Sequence, residues 1–123
     1  MRTEVLPKIT IVEDDYSTIC LYEEIFYGLY TLQFIQDYEY AFDFIKVSKP
    51  DLVIIDLTLP GEINGLDVIK KIREEYSIPI IVITASDNSE DNVKSFENGA
   101  NDYIIKPVNI TYLKKLVRNY LKI

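Results

Sequence analysis

Asp51-Leu52-Val53-Ile54-Ile55-Asp56 is a nearly continuous apolar run closed by an acid. A half-exposed strand would alternate apolar with polar residues; an unbroken run of this length fits a central strand covered on both faces. Pro50 stands just before it, and the residue preceding a proline avoids helical geometry, so any helix upstream must stop there. Outward toward the N-terminus, residues 8–13 (Lys8-Ile9-Thr10-Ile11-Val12-Glu13) read as a first strand rich in β-branched residues. Residues 17–29 read as a helix with Ile19, Tyr22, Ile25, Phe26 and Leu29 at helical spacing and Gly28 near its end. A second strand over 31–35 and a second helix over 40–47 fill the gap.

Outward toward the C-terminus lies a loop containing Pro60, Gly61, Asn64 and Gly65. A helix over 66–75 puts Leu66, Ile69 and Ile72 on one face, and 79–84 supplies another buried strand. A more polar helix over 87–97 ends at Asn98-Gly99, where Gly99 takes the left-handed conformation of a helix C-terminus. Residues 102–105 form a fifth strand and 110–121 a last helix with Leu113, Leu116, Val117 and Tyr120 inward. Short apolar strands alternating with helices five times define an α/β chain with a doubly wound five-stranded parallel sheet, (βα)5, because each right-handed crossover packs its helix back on the sheet. The expected strand order is 2-1-3-4-5. No repeat, low-complexity tract or Gly/Ser-rich linker interrupts the chain, so residues 1–123 are expected to be one domain.

Composition narrows the function. With 48% hydrophobic and 27% charged residues the chain can bury a core. Thirteen Lys+Arg against twenty Asp+Glu leave a formal charge of −7, which repels nucleic acid phosphates, so no direct nucleic acid binding is expected. The count of zero histidines removes Ser-His-Asp and Cys-His catalysis, His-rich zinc sites and phosphohistidine chemistry on this chain. The single cysteine, Cys20, forms no intrachain disulfide and reads as a small buried hydrophobe. Arg2, Glu4 and Lys8 interrupt the N-terminus, which fits neither a signal nor a transit peptide, and Ile78-Pro79-Ile80-Ile81-Val82-Ile83 falls far short of a membrane span. A cytoplasmic location with no membrane contact is the expectation.

In a sheet of this order, ligands bind beyond the carboxyl ends of the strands where the order reverses, between the first and third strands. Glu13-Asp14-Asp15 closes the first strand and Asp56 the third, so three or four carboxylates are expected to converge on one crevice. Such a cluster makes sense when a hard divalent cation neutralises it, and oxygen donors without thiolate or imidazole suit Mg²⁺. Mg²⁺ shares its remaining positions between water and phosphate, so a phosphoryl ligand follows. Thr84 closes the fourth strand with a hydroxyl and Lys106 the fifth with an ammonium, while Ala85 leaves room and Pro107 is expected to keep the backbone extended. A carboxylate can attack phosphorus and become an acyl phosphate, and Asp56 is the carboxylate of choice.

These residues resemble the receiver domains of two-component response regulators, in their chemotaxis-regulator-like form, over essentially the whole chain. The resemblance rests on the acids after Ile9-Thr10-Ile11-Val12, on Val53-Ile54-Ile55-Asp56-Leu57-Thr58-Leu59-Pro60, on Asn64-Gly65, on Val82-Ile83-Thr84-Ala85 and on Gly99-Ala100-Asn101-Asp102-Tyr103-Ile104-Ile105-Lys106-Pro107. It implies a flavodoxin-like fold and a signalling switch rather than an enzyme. It further implies that Asp56 takes a phosphoryl group from a histidine kinase, and that Glu13, Asp14, Asp56 and the Thr58 backbone carbonyl hold Mg²⁺. By the same resemblance Thr84 and Lys106 contact the phosphoryl group, and Thr84 and Tyr103 move together to remodel the face of the fourth helix, fifth strand and fifth helix. That face would meet an effector domain or a second copy, with control of transcription the expected output; a stand-alone receiver or a phosphorylation-independent pseudo-receiver is the alternative. Three consecutive acids allow the metal pair to be Glu13/Asp14 or Asp14/Asp15, and family spacing favours the former, leaving Asp15 for the start of the first helix.

The loop Pro60-Gly61-Glu62-Ile63-Asn64-Gly65 has one residue more than most members, Asn101 replaces a frequent aspartate, and Leu116 stands where the winged-helix branch carries an arginine. An FMN carrier of the same topology would need hydroxyls and glycine where Glu13-Asp14-Asp15 stands. A phosphohydrolase would need a general acid near Asp56 that Leu57-Thr58 does not supply. The ten tyrosines, Tyr22, Tyr27, Tyr30, Tyr38 and Tyr40 among them, read as amphipathic cover, and Lys114-Lys115 as a solvated face.

Overall fold

A computed structural model describes residues 5–122; the charges at Arg2 and Glu4 lie outside the described residues. The strands are β1 (Lys8–Val12), β2 (Thr31–Ile35), β3 (Leu52–Ile55), β4 (Ile80–Thr84) and β5 (Asp102–Ile105), and each is followed by a helix. The helices are α1 (Tyr16–Ile25), α2 (Ala41–Ser48), α3 (Gly65–Glu75), α4 (Ser89–Glu97) and α5 (Ile110–Leu121). All strand pairs are parallel and the order is β2-β1-β3-β4-β5.

All four residues of β3 are buried, as its apolar run requires, and the period of two along a strand divides them between two cores. Val53 and Ile55 join Val12, Val82 and the α2 and α3 residues Ile45, Val68, Ile69 and Ile72 on one side. Leu52 and Ile54 join Ile9, Ile11, Ile81 and Ile83 on the other, where Tyr22 and Ile25 from α1, Phe26 just past its end, and Leu113 and Val117 from α5 cover them. By contrast α4 buries only Ser95 fully, and Val93 and Phe96 remain exposed, so it is the helix least anchored by apolar burial.

Some boundaries differ from the sequence reading. The first helix ends at Ile25 rather than near residue 29: Tyr27 and Leu29 donate to Glu24 and Phe26 in tight turns, Gly28 takes a positive φ of 74°, and Leu29 is 38% exposed. The fourth helix starts two residues late because Asn88 caps it, accepting from the Glu90 N–H. Cys20 is half-buried and free rather than a core residue.

Asn101, just before β5, ties that strand's start to β4 and α3. Its Oδ1 accepts from the Ile80 N–H at 2.8 Å and from Arg73 Nη2 at 3.0 Å, and Arg73 also reaches the Gly99 carbonyl through Nε (3.0 Å) and Nη2 (2.8 Å) and the Tyr76 carbonyl through Nη1 (2.8 Å). One guanidinium therefore joins the end of α3 to the turn between α4 and β5, and Gly99 is required there because a Cβ would lie 2.5 Å from Arg73 Cγ. Arg73→Leu is expected to lower stability by about 1–3 kcal/mol through unpaired carbonyls. Urea unfolding checks this: the midpoint should fall with an unchanged slope.

Candidate functional site

The sheet register assembles the site. Val12 pairs with Ile55, and the Asp56 N–H donates to the Val12 carbonyl at 3.0 Å, so Glu13 and Asp56 leave adjacent strand ends together. Thr84 pairs with Ile105, and the Lys106 N–H donates to the Thr84 carbonyl at 2.8 Å, which brings Lys106 to the same edge. The Lys106–Pro107 bond is cis and the chain bends there, instead of continuing extended.

Lys106 Nζ donates to Glu13 Oε1 at 2.8 Å and to Asp56 Oδ2 at 2.7 Å. Asp56 Oδ1 accepts from the Thr58 N–H at 2.9 Å and from the Thr58 hydroxyl at 2.8 Å. Glu13 Oε2 accepts from the backbone N–H groups of Asp14 (3.2 Å) and Asp15 (3.1 Å). Both acids are nearly inaccessible, Glu13 at 1% and Asp56 at 3%, yet their acidities move in opposite directions. Burial raises the Glu13 pKa and outweighs the Lys106 and backbone hydrogen bonds. Burial also pushes Asp56 upward, but Lys106, the Thr58 hydroxyl and N–H and the Thr84 hydroxyl together hold it below the usual carboxylate value. Burial would lower Lys106, but Asp56 and Glu13 raise it and keep it an ammonium.

The expected convergence of three or four carboxylates is therefore narrower in fact. Among the described residues no group of three acids stands together as a preformed metal cluster. Glu13 and Asp56 converge with Lys106 between them, while Asp14 is exposed at the rim. Asp15 is the N-cap of α1, accepting from the Thr18 N–H (2.9 Å) and hydroxyl (2.7 Å), and hydrogen bonding to Thr18 lowers its pKa. Its side chain is spent on the helix, as the sequence reading expected.

Thr84 is fully buried at the end of β4, and its hydroxyl accepts a long bond from the Ser86 N–H at 3.4 Å. Tyr103 is half-buried, its hydroxyl donating to the Ser86 carbonyl at 2.8 Å. Ser86 Oγ donates to Asp91 in α4 at 2.7 Å, so one residue touches Thr84, Tyr103 and α4.

Tyr38, read from sequence as cover, is 4% exposed, and its hydroxyl donates to the Asp56 backbone carbonyl and accepts from the Leu59 N–H at 3.2 Å. Burial pushes its phenol pKa up. The residues in contact are 18 and 21 positions apart, and no spacing rule connects them; only the tightness around Gly65, where a Cβ would sit 2.9 Å from the Tyr38 oxygen, records the fit. The position of Thr58 two residues past Asp56 marks it as close to the acid, and the structure adds that its hydroxyl and N–H both donate to Oδ1.

A parallel sheet of this order whose switch-point acids share one lysine, with a threonine closing the next strand, defines a receiver-type signalling domain rather than an ordinary enzyme. The chain belongs to the response regulator receiver domain family, whose pattern matches residues 9–118. It is thus a receiver domain of the kind found in two-component response regulators. The transcriptional regulatory protein KdpE of Staphylococcus aureus is 36% identical over 112 residues, 90% of this chain and 48% of that protein. The chain spans about half the length of the curated relatives it matches. The BeF3-activated N-terminal receiver domain of Klebsiella pneumoniae RstA superposes with a TM-score of 0.85 at 30% identity, covering 94% of this chain and 99% of that one. The Mn(2+)-bound form of the response regulator Rcp1 superposes with a TM-score of 0.77 at 28% identity, covering 92% and 90%. No helix among the described residues is long and apolar enough to cross a membrane.

Proposed function

We propose that Asp56 is the phosphoacceptor of a switch driven by a histidine kinase, and that residues 1–123 work as one cytoplasmic receiver unit. The observation that carries this reading is the buried Asp56 carboxylate held in its ionised form beside Lys106. An Asp56 oxygen attacks phosphorus, the bond to the donor imidazole nitrogen breaks, and its electron pair leaves with the imidazole, giving an acyl phosphate on Asp56. Lys106 then follows the charge from the carboxylate to the phosphoryl oxygens, and the Thr84 hydroxyl donates to one of them. Thr84, drawn toward Asp56, releases the Ser86 N–H, and Ser86 couples that movement to Tyr103 and to α4.

The donor chemistry fits Mg²⁺: only oxygen ligands are present, and two buried carboxylates face a single ammonium, with Asp14 at the rim adding further negative charge. Glu13, Asp14, Asp56 and the Thr58 carbonyl would hold the ion, which supplies positive charge against the phosphoryl oxygens when bound. The Mn(2+)-bound form of Rcp1, a structural relative, is in keeping with divalent-cation binding by a receiver fold. The output is control of transcription, in keeping with the name of the KdpE relative, and the surface that would meet an effector domain or a second copy is that of α4, β5 and α5. Exposed Phe96, Ile105 and Tyr112 supply apolar surface for that contact.

Intact mass after incubation with acetyl phosphate tests the reading. A single phosphoryl increment that appears with Mg²⁺ and disappears with excess chelator is expected. An unmodified mass under both conditions would turn the assignment toward a phosphorylation-independent binding module.

A further inference from the structure

We infer that Tyr38 is a positioning residue for the cation site, acting through the Thr58–Leu59 peptide. The inference rests on the proposed role of the Thr58 carbonyl as a metal ligand. The Leu59 N–H and the Thr58 C=O belong to the same planar trans peptide unit, so they point in opposite directions. The Tyr38 hydroxyl accepts the Leu59 N–H at 3.2 Å and donates to the carbonyl of Asp56. One phenol thereby fixes the rotation of the peptide that carries the ligand oxygen and ties that peptide to the backbone of the acceptor. Without it, the turn from Asp56 to Pro60 would be held through Asp56 Oδ1 and Thr58, and Thr58 is itself exposed.

The tyrosine is held tightly enough for this task. It is 4% exposed and belongs to the buried core cluster that includes Val12, Ala41, Ile55, Leu59 and Val68. Gly65 opens α3 directly against the phenol: an added Cβ would lie 2.9 Å from the Tyr38 oxygen and 3.1 Å from Cζ. The missing side chain at residue 65 is what leaves the hydroxyl room to reach both backbone groups. Groups that orient a metal ligand without touching the metal are ordinary determinants of affinity, and their loss weakens binding by about 10- to 100-fold.

The test is Mg²⁺ binding to unphosphorylated protein, by calorimetry or amide-resolved NMR titration with MgCl₂. Tyr38→Phe keeps the ring and removes only the hydroxyl, and about a tenfold weaker Mg²⁺ affinity is expected. Tyr120→Phe is the control, because it also removes a phenol hydrogen bond, to Asp102 at the amino end of β5, opposite the acid site; its Mg²⁺ affinity should equal wild type. Gly65→Ala should reproduce the loss by displacing the phenol, and it carries the test if Tyr38→Phe does not fold. Equal affinity in Tyr38→Phe and wild type, or equal weakening in Tyr38→Phe and Tyr120→Phe, would overturn the positioning role while leaving the cation site standing. A wild-type protein that binds no Mg²⁺ would overturn the cation site and this inference with it.

Discussion

Asp56→Asn is expected to leave the fold intact and to reduce the acetyl phosphate adduct at least about a thousandfold, to below detection by intact mass. The substitution is nearly isosteric, and the amide oxygen can still accept from the Thr58 N–H and hydroxyl that now hold Oδ1 at 2.9 and 2.8 Å. The amide nitrogen then faces Lys106 Nζ, donor against donor, where Oδ2 accepted at 2.7 Å. Lys106 keeps Glu13 as its partner. An ion pair is lost, but so is the cost of burying one carboxylate, and these terms oppose each other, so the melting temperature should move little. Nucleophilicity has no such compensation, because the amide carries no charge to direct at phosphorus. A variant that still gains a full phosphoryl increment would place the acceptor elsewhere, with Asp14 the first acid to examine by peptide mapping.

Lys106→Met is expected to destabilise the protein by about 2 kcal/mol at pH 8, a reduction from the 3–5 typical of a broken buried pair because the Lys106 side chain is 21% exposed. In a domain of this size that corresponds to roughly 8 °C in melting temperature. The sign of the pH dependence follows from the two acids. In the wild type, Asp56 titrates below its ordinary value, so its contribution is present above the unfolded pKa and lost as pH falls through the folded one. Glu13 titrates above its ordinary value, so its contribution is present at low pH and lost as pH rises through the raised value. Removing the ammonium raises both, and both then favour the folded variant only when protonated. The gap between variant and wild type should therefore be widest at pH 8 and shrink as pH falls toward 5. Thermal melts at the two pH values check this; an equal gap at both would mean that Lys106 contributes by packing its stem rather than by pairing with the acids.

The four strand-end residues Glu13, Asp56, Thr84 and Lys106 were legible because each follows an apolar run, and a parallel sheet necessarily gathers its carboxyl ends on one edge. The strand order was legible for the same reason, since alternation of short strands and helices leaves few right-handed ways to wind the chain. Asp15 as a helix cap could be read from its place before α1. What sequence could not show is how side chains far apart along the chain divide the space at that edge. Lys106 reaches Glu13 across 93 positions and settles between two acids, so the carboxylates do not form the open cluster that their spacing suggested. Tyr38, one of ten tyrosines, differs from the exposed Tyr27 and Tyr40 only in that Gly65 leaves a space against its ring and two backbone groups lie within reach of its hydroxyl. Arg73 serves three carbonyl and amide partners for a similar reason. Local periodicity records which face of an element is buried, so the sequence by itself determined the fold and the acid edge. Contacts of this second kind depend on the packed positions of several elements at once, and the tertiary structure alone decided them.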